Sequence, residues 1–221
     1  MSNRIMKPLL ILFFLSWAAG CKSKIYPSSL PGKIKKGDLI FQKIECGDLC
    51  TAIAKSTAKK GYPDINHVAV VERVKPEIIL IEAYKKVKRI KFAKFVERSV
   101  NSGGKAKILA GRVIQRYTGA LPFVLEEMRA RLGKPYDKYF LPANGAYYCS
   151  ELISDSFAAK GYRIFPRRPM FFGEKSSKSY RIWKKYFNKL GSIIPQGIPG
   201  TNPVQLMDSK AVKIYYNYTV N

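Results

Sequence analysis

The chain has 221 residues, 47% of them hydrophobic and 13% aromatic, which is enough for a core and excludes a globally disordered polymer. Forty Lys and Arg against fifteen Asp and Glu leave a net charge of +25, which excludes an acidic or neutral surface and points to anionic surroundings. One His and four Cys exclude most multi-histidine metal sites and confine any His-dependent chemistry to a single residue.

Arg4 and Lys7 precede an apolar run, Pro8 to Trp17, of about ten residues, too short to span a bilayer. Ala18-Ala19-Gly20 and then Cys21 follow. This has the small-small-Cys ending of a bacterial lipoprotein signal, although Ala18 stands where Leu is commoner. The expectation is a signal peptide over residues 1–20, removed so that Cys21 is lipidated and becomes the first mature residue. The protein is then placed in the bacterial cell envelope, anchored in the membrane by lipid. Its basic body would add attraction to anionic headgroups, because a single acyl signal anchors weakly. Export also argues against nucleic acid as a partner.

Residues 21–36 hold Pro27, Ser28, Ser29, Pro31 and Gly32 and read as a tether. The domain is expected over residues 37–221. Gly37-Asp38 opens a short strand, Leu39-Ile40-Phe41. Cys46 to Lys60 reads as a helix with Leu49, Ile53 and Ala52 inward, broken at Gly61-Tyr62-Pro63-Asp64. His67 to Val71 and Ile78 to Ile81 are strands joined by a turn at Lys75-Pro76-Glu77. Val87 to Phe92 adds a basic edge strand, Phe92 to Val100 a short helix ending before Asn101-Ser102-Gly103-Gly104, and Lys107 to Ile114 another strand. Leu121, Val124, Leu125, Met128 and Leu132 keep helical spacing, stopped by Gly133. Cys149 to Lys160 is a further helix, with Gly161 as its stop. The last forty residues read as Pro/Gly-rich loops closing in a strand near Val212 to Tyr218. The pattern is α+β, a mostly antiparallel sheet or small barrel with packed helices.

Cys149 stands at the start of its helix, where unpaired N–H groups and the macrodipole favour a thiolate. His67 begins a strand, and a nearby imidazole can take the thiol proton. If Lys75-Pro76 is a two-residue hairpin loop, residue 67 faces residue 84, and Glu82 is its diagonal neighbour at roughly 7–8 Å, close enough to orient the ring. A one-residue slip would send Glu82 to the other face. Taken singly each residue has an ordinary reading: a lone Cys is usually a small core hydrophobe, and a lone strand His is usually structural.

Several motifs in order resemble NlpC-type papain-like hydrolases: Gly37-Asp38-Leu39-Ile40-Phe41, His67-Val68-Ala69-Val70-Val71, Ile81-Glu82-Ala83, Leu132-Gly133-Lys134-Pro135-Tyr136-Asp137 and Tyr148-Cys149-Ser150-Glu151-Leu152. Cys46-Gly47-Asp48-Leu49-Cys50 and Asn202-Pro203-Val204-Gln205-Leu206 are similar to further segments of the same group. In most such enzymes the cysteine helix precedes the strands. Here it follows them, as in the circularly permuted, YiiX/YaeF-type branch. The resemblance implies a permuted papain-like fold with Cys149 as nucleophile, His67 as general base and acid, and Glu82 as orienting third member. Tyr136 and Tyr148 would line the substrate site, and the Cys149 backbone N–H would serve the oxyanion hole. Ala69 departs from the glycine common in the His-Val-Gly motif and leaves the catalytic residue types intact.

No cofactor or metal is implied, since Cys46, Cys50 and His67 lack a fourth ligand. Cys46 and Cys50 sit one turn apart if helical, which fits disulfide geometry only marginally, so a pair of buried thiols is preferred. The basic residues from Arg163 to Lys189, interleaved with aromatics, suit a membrane face, an acyl-bearing substrate groove near Cys149, or core aromatics beneath surface lysines. The leading expectation is a lipid-anchored cysteine amidase or peptidase acting on an envelope amide such as a peptidoglycan peptide. The alternatives are a lipid-directed acyl hydrolase or acyltransferase of the lecithin retinol acyltransferase-like kind, and a non-catalytic binding module.

Overall fold

The computed structural model describes residues 33–99 and 106–219. The expected signal peptide, Cys21, most of the tether and the turn at 101–104 lie outside the described residues. Apolar and β-branched runs form the strands: β1 (Leu39–Gln42), β2 (His67–Arg73), β3 (Ile79–Tyr84), β4 (Lys86–Lys91), β5 (Lys107–Val113), the short pair β6 (Arg168–Pro169) and β7 (Pro199–Gly200), and β8 (Val212–Thr219). The helices are α1 (Asp48–Ser56), α2 (Phe92–Glu97), α3 (Leu121–Ala130), α4 (Cys149–Ala158), α5 (Lys178–Lys189) and α6 (Pro203–Met207).

Six strands make one antiparallel sheet in the order β4-β3-β2-β1-β5-β8. It is open, with β4 and β8 at its edges, so the barrel alternative is not realised. Basic β4 is the edge strand the sequence suggested, and its lysines guard that edge against further pairing. Period-two alternation sends successive side chains to opposite faces. Leu39, Phe41, Val68, Val70 and Ile81 pack under α3 and α4, against Val124, Met128, Leu152, Ile153 and Phe157. Ile40, Ala69, Val71 and Leu80 pack under α2, against Phe92, Phe95 and Val96. Each fully buried large apolar side chain contributes about 1.5–3 kcal/mol. This two-sided cover explains why β2 reads as a continuous apolar run.

The turn at residue 37 requires glycine. Its φ is +88°, and a Cβ there would meet the Leu121 side chain at 2.6 Å. Asp38, buried, accepts two hydrogen bonds from Arg112 at 2.6 and 2.8 Å, one from the Tyr215 hydroxyl at 2.6 Å and one from the Lys35 amide at 2.7 Å. The Gly-Asp pair that opens the first strand is therefore structural.

Two expectations need correction. In the last forty residues, the part ahead of β8 is not all loop, since most of α5 and all of α6 fall within it. Ser177 caps α5 through its hydroxyl, and Trp183 and Phe187, four residues apart, turn that helix into a cluster with Ala52 and Phe172. Within α5 the basic-aromatic interleaving is thus a core face and a solvated face, while Phe171 ahead of it stays exposed. Secondly, Cys46 and Cys50 form a disulfide. Cys46 stands ahead of α1, and Gly47 at φ +80° turns the chain, so the pair is not held at helical geometry. The Cα atoms come to 5.3 Å, within the ordinary disulfide range. The helix itself is shorter than expected and buries Cys50, Ala52 and Ala54, while Leu49 and Ile53 are half-buried against the α5 cluster.

Candidate active site

The β2–β3 ladder pairs Val70 with Ile81 and Val71 with Leu80, then shifts by one residue before Arg73. Extended toward the start of β2, that register sets residue 67 opposite residue 84 and places Glu82 on the face of His67. The two side chains meet: His67 Nε2 lies 2.8 Å from Glu82 Oε2, both buried. Tyr84 and Phe95 flank the imidazole with ring centroids 5.9 and 5.8 Å away.

Cys149 heads α4, with Tyr148 as the extended residue before the first turn. The first N–H groups of a helix have no acceptor within it and point at this position. α4 packs on β2 and β3, which carries its head to the start of β2. There Cys149 is a hydrogen-bonding and electrostatic partner of His67. Because Nε2 is engaged by Glu82, Nδ1 is the nitrogen left for the sulfur. Burial pulls the imidazole pKa down, but the charge and hydrogen bond of Cys149, followed by Glu82, outweigh it and hold His67 at about 9. Cys149 is the free cysteine among the described residues, and it is buried.

Glu82 has further company. Arg98 Nη2 donates to the same Oε2 at 2.5 Å, and Lys88 Nζ lies 3.7 Å from Oε1. Burial raises the Glu82 pKa, but His67 first and Arg98 second reverse this and leave it below the ordinary carboxylate value. The Arg98 guanidinium lies over Tyr84 at 4.3 Å and Phe95 at 5.4 Å, the two rings that flank His67. Sequence spacing offered no signal for Arg98, because α2 reaches Glu82 only through tertiary packing. Asn66 was also missed. It accepts from the Ile44 amide at 2.8 Å and donates to the Ile44 and Cys50 carbonyls, tying the disulfide loop to the residue before His67.

In front of Cys149 opens a cavity of about 340 Å³. Tyr136 and Tyr148 line it with Cys149, so the structure brings both expected substrate-site tyrosines to the nucleophile candidate. Burial first, then the neighbouring Cys149, pushes the Tyr136 hydroxyl well up, so it is a neutral donor at physiological pH. The Tyr148 hydroxyl accepts from the Thr201 amide at 2.9 Å, pinning the residue before Cys149 to β7. Opposite stand Phe140, Met170, Phe172 and Trp183. Phe140 holds φ +55° at the tip of a loop that Asp137 fastens by accepting from the Tyr139 and Leu141 amides, both at 2.8 Å. That fastening explains the Tyr136-Asp137 pair of the motif. Cys21 lies outside the described residues.

An antiparallel sheet presenting a His–Glu pair to a cysteine at a helix head defines a papain-like hydrolase, here with the cysteine helix after the strands. The chain belongs to the permuted papain-like amidases of the YaeF/YiiX, C92 family, whose model matches residues 33–216. Among solved structures it resembles the crystal structure of the metalloprotein yiiX from Escherichia coli O157:H7, with a TM-score of 0.68 and 21% identity over 83% of this chain and 97% of that one. No curated protein sequence matches it. Among the described residues of this chain, no group of three or more His, Cys, Asp or Glu side chains is placed to hold a metal ion.

Proposed function

We propose that the protein is a lipid-anchored cysteine amidase of the bacterial envelope, with Cys149 as nucleophile, His67 as acid and base, and Glu82 as the group that orients His67. The observation that carries this is the buried His67, held at about pKa 9 between Cys149 and Glu82. At neutral pH it keeps a proton beside the sulfur. The Cys149 sulfur attacks the amide carbonyl, and the N–H groups at the head of α4 receive the oxyanion. His67 gives its proton to the departing amine as the C–N bond breaks, leaving a thioester. Neutral His67 then takes a proton from water, whose oxygen attacks the thioester, and Cys149 leaves as thiolate to restore the pair. In this reading residues 1–20 are removed as the signal peptide and the lipidated Cys21 supplies the anchor.

The test is alkylation of Cys149 across pH, followed by mass spectrometry, in the full chain carrying Cys21→Ser. With Cys46 and Cys50 paired, Cys149 is then the sole free thiol. An ordinary thiol titrates near ~8.5, so an activated one should react up to ~100-fold faster at pH 6. His67→Ala should abolish that excess. Ordinary reactivity, unchanged by His67→Ala, would overturn the reading and leave a binding module.

A second reading, acyl hydrolysis or transfer on a lipid, draws support from the apolar wall of Phe140, Met170, Phe172 and Trp183 beside Cys149. Release of fatty acid or lysolipid from vesicles, lost in Cys149→Ala, would favour it. Amide cleavage without such release would count against it.

A further inference from the structure

We propose that the groove at the end of β2 remote from His67 is the face on which the protein docks on an anionic lipid surface. The groove, about 920 Å³, is lined by Lys36, Arg73, Lys75, Arg89, Lys91 and Arg129, with the apolar side chains of Val74, Ile79 and Ile90 between them. Glu72 is the one carboxylate in the lining, and it is already taken. Arg89 donates two hydrogen bonds to it at 2.6 and 2.8 Å and Arg129 one at 2.7 Å, so its charge is answered within the protein. Lys91 pairs with Glu77 at 3.1 Å. Lys36, Arg73 and Lys75 are exposed and have no ion pair among the described residues.

Two features select a bilayer as the occupant. A cationic rim over an apolar floor matches an interface where phosphates lie above hydrocarbon, and each basic side chain near such a surface contributes on the order of 1 kcal/mol. The chain also enters the domain here. The first described residue is Lys33, and Lys36 lines the groove, so the 32 residues that precede the described fold, Cys21 among them, connect to it beside this face. The outer face of α5 is the competing basic surface, with Arg181, Lys184, Lys185 and Lys189. Its aromatic residues Trp183 and Phe187 are turned into the core, so it offers charge without an apolar floor. The groove shares no lining residue with the Cys149 cavity, and β2 separates Arg73 from His67 by six steps, roughly 20 Å. Docking is therefore independent of the chemistry proposed for Cys149.

The experiment measures binding of the full chain carrying Cys21→Ser to phosphatidylcholine vesicles, with and without an equal part of phosphatidylglycerol. The gain due to phosphatidylglycerol isolates the electrostatic contribution. Lys36→Gln/Arg73→Gln/Lys75→Gln should reduce that gain by about tenfold or more, and Lys184→Gln/Lys185→Gln/Lys189→Gln by less than about twofold. An unchanged rate of Cys149 alkylation confirms that the groove variant is folded. Equal losses in the two variants would show that net charge alone attracts the lipid, and would overturn the proposal. So would a wild type indifferent to phosphatidylglycerol. A groove variant that loses binding of inorganic polyphosphate but keeps its vesicle binding would assign the groove to a soluble phosphate polymer instead.

Discussion

Two buried glutamates lie close to Cys149, each beside an arginine, and they titrate in opposite directions. Glu82 on β3 faces His67, Arg98 and Lys88 with no second carboxylate among its partners, and its pKa is lowered. Glu151, two residues after Cys149 on α4, has Arg167 at 3.1 Å, but Arg167 also holds both oxygens of Asp155 at 2.8 and 2.9 Å. Burial, with Asp155 next, pushes Glu151 up to about 8; among the described residues its Oε2, like Oε1 of Glu82, has no hydrogen-bond partner. Burial is common to both. The sign of the shift is set by how many cations each carboxylate has to itself.

The comparison can be broken most severely at Glu82. Glu82→Gln keeps the shape and removes the charge. His67 loses one of the groups that hold it near 9, and Cys149 alkylation at pH 6 should lose most of its excess, up to ~100-fold, over an ordinary thiol. If the rate is unchanged, Glu82 does not orient His67. Next in size is Glu151, where the sign is reversed. A carboxyl raised in the folded state stabilises the fold below its unfolded pKa, near 4.5, and loses that contribution as pH rises through about 8. Glu151→Gln should remove this loss. At pH 9 the variant should be more stable than the wild type by on the order of a few kcal/mol, at ~1.4 kcal/mol per pK unit, with the gap closing below pH 5 in urea titrations.

Arg98→Met should have a smaller effect, about tenfold on Cys149 reactivity, because a hydrogen bond to a charged group contributes about 1.5–3 kcal/mol and Glu82 keeps Lys88 nearby. Its signature is in the pH profile. Removing this cation leaves more of the Glu82 negative charge to the imidazolium, so the alkaline limb near pH 9 should move to higher pH, and Arg98→Lys should move it partly back. A uniform loss at every pH would mean that Arg98 matters only for packing. The smallest effect is expected at the disulfide. Cys46→Ser should cost about 2 kcal/mol or less, since the loop it closes is only four residues apart, and should leave the Cys149 pH profile in place.

Much of the strand and helix pattern is legible because its signals are local or of fixed period, whereas Cys149, His67 and Glu82 stand out as a set only through the ordered motifs that resemble the permuted papain-like enzymes. The β2–β3 register that brings Glu82 to the His67 face is the one a two-residue turn would set, but the structure reaches it through a longer connection, residues 74–78, and a register shift between Val71 and Arg73. The head of α4 follows from the apolar spacing behind Cys149. What was illegible depends on contacts between distant segments. Arg98 reaches Glu82 because α2 folds over the sheet. Phe140 meets Phe172 and Trp183 through a loop that Asp137 fastens. Helix α5 was hidden because its apolar stripe is made of aromatics spaced among lysines, a pattern equally suited to a binding face. The disulfide is hidden from the sequence because helical spacing, carried two residues too far across Gly47 to Cys46, gives the pair the wrong geometry.

The Asp38 cluster has a mechanical consequence. One carboxylate joins the entry of the domain, at the Lys35 amide, to Arg112 on β5 and Tyr215 on β8. A tensile load applied through the N-terminal segment would enter the fold at that knot. It would pass as shear into the neighbouring β1, β5 and β8, whose ladder bonds resist together. β2 shares that load, because the Gly37 amide and the Asp38 carbonyl bond to Val71 and β1 pairs with β2 from Leu39–Val70 to Gln42–His67. Pulling on the N-terminal side would therefore stretch β1 together with both of its partners, and the strand that begins at His67 would feel it.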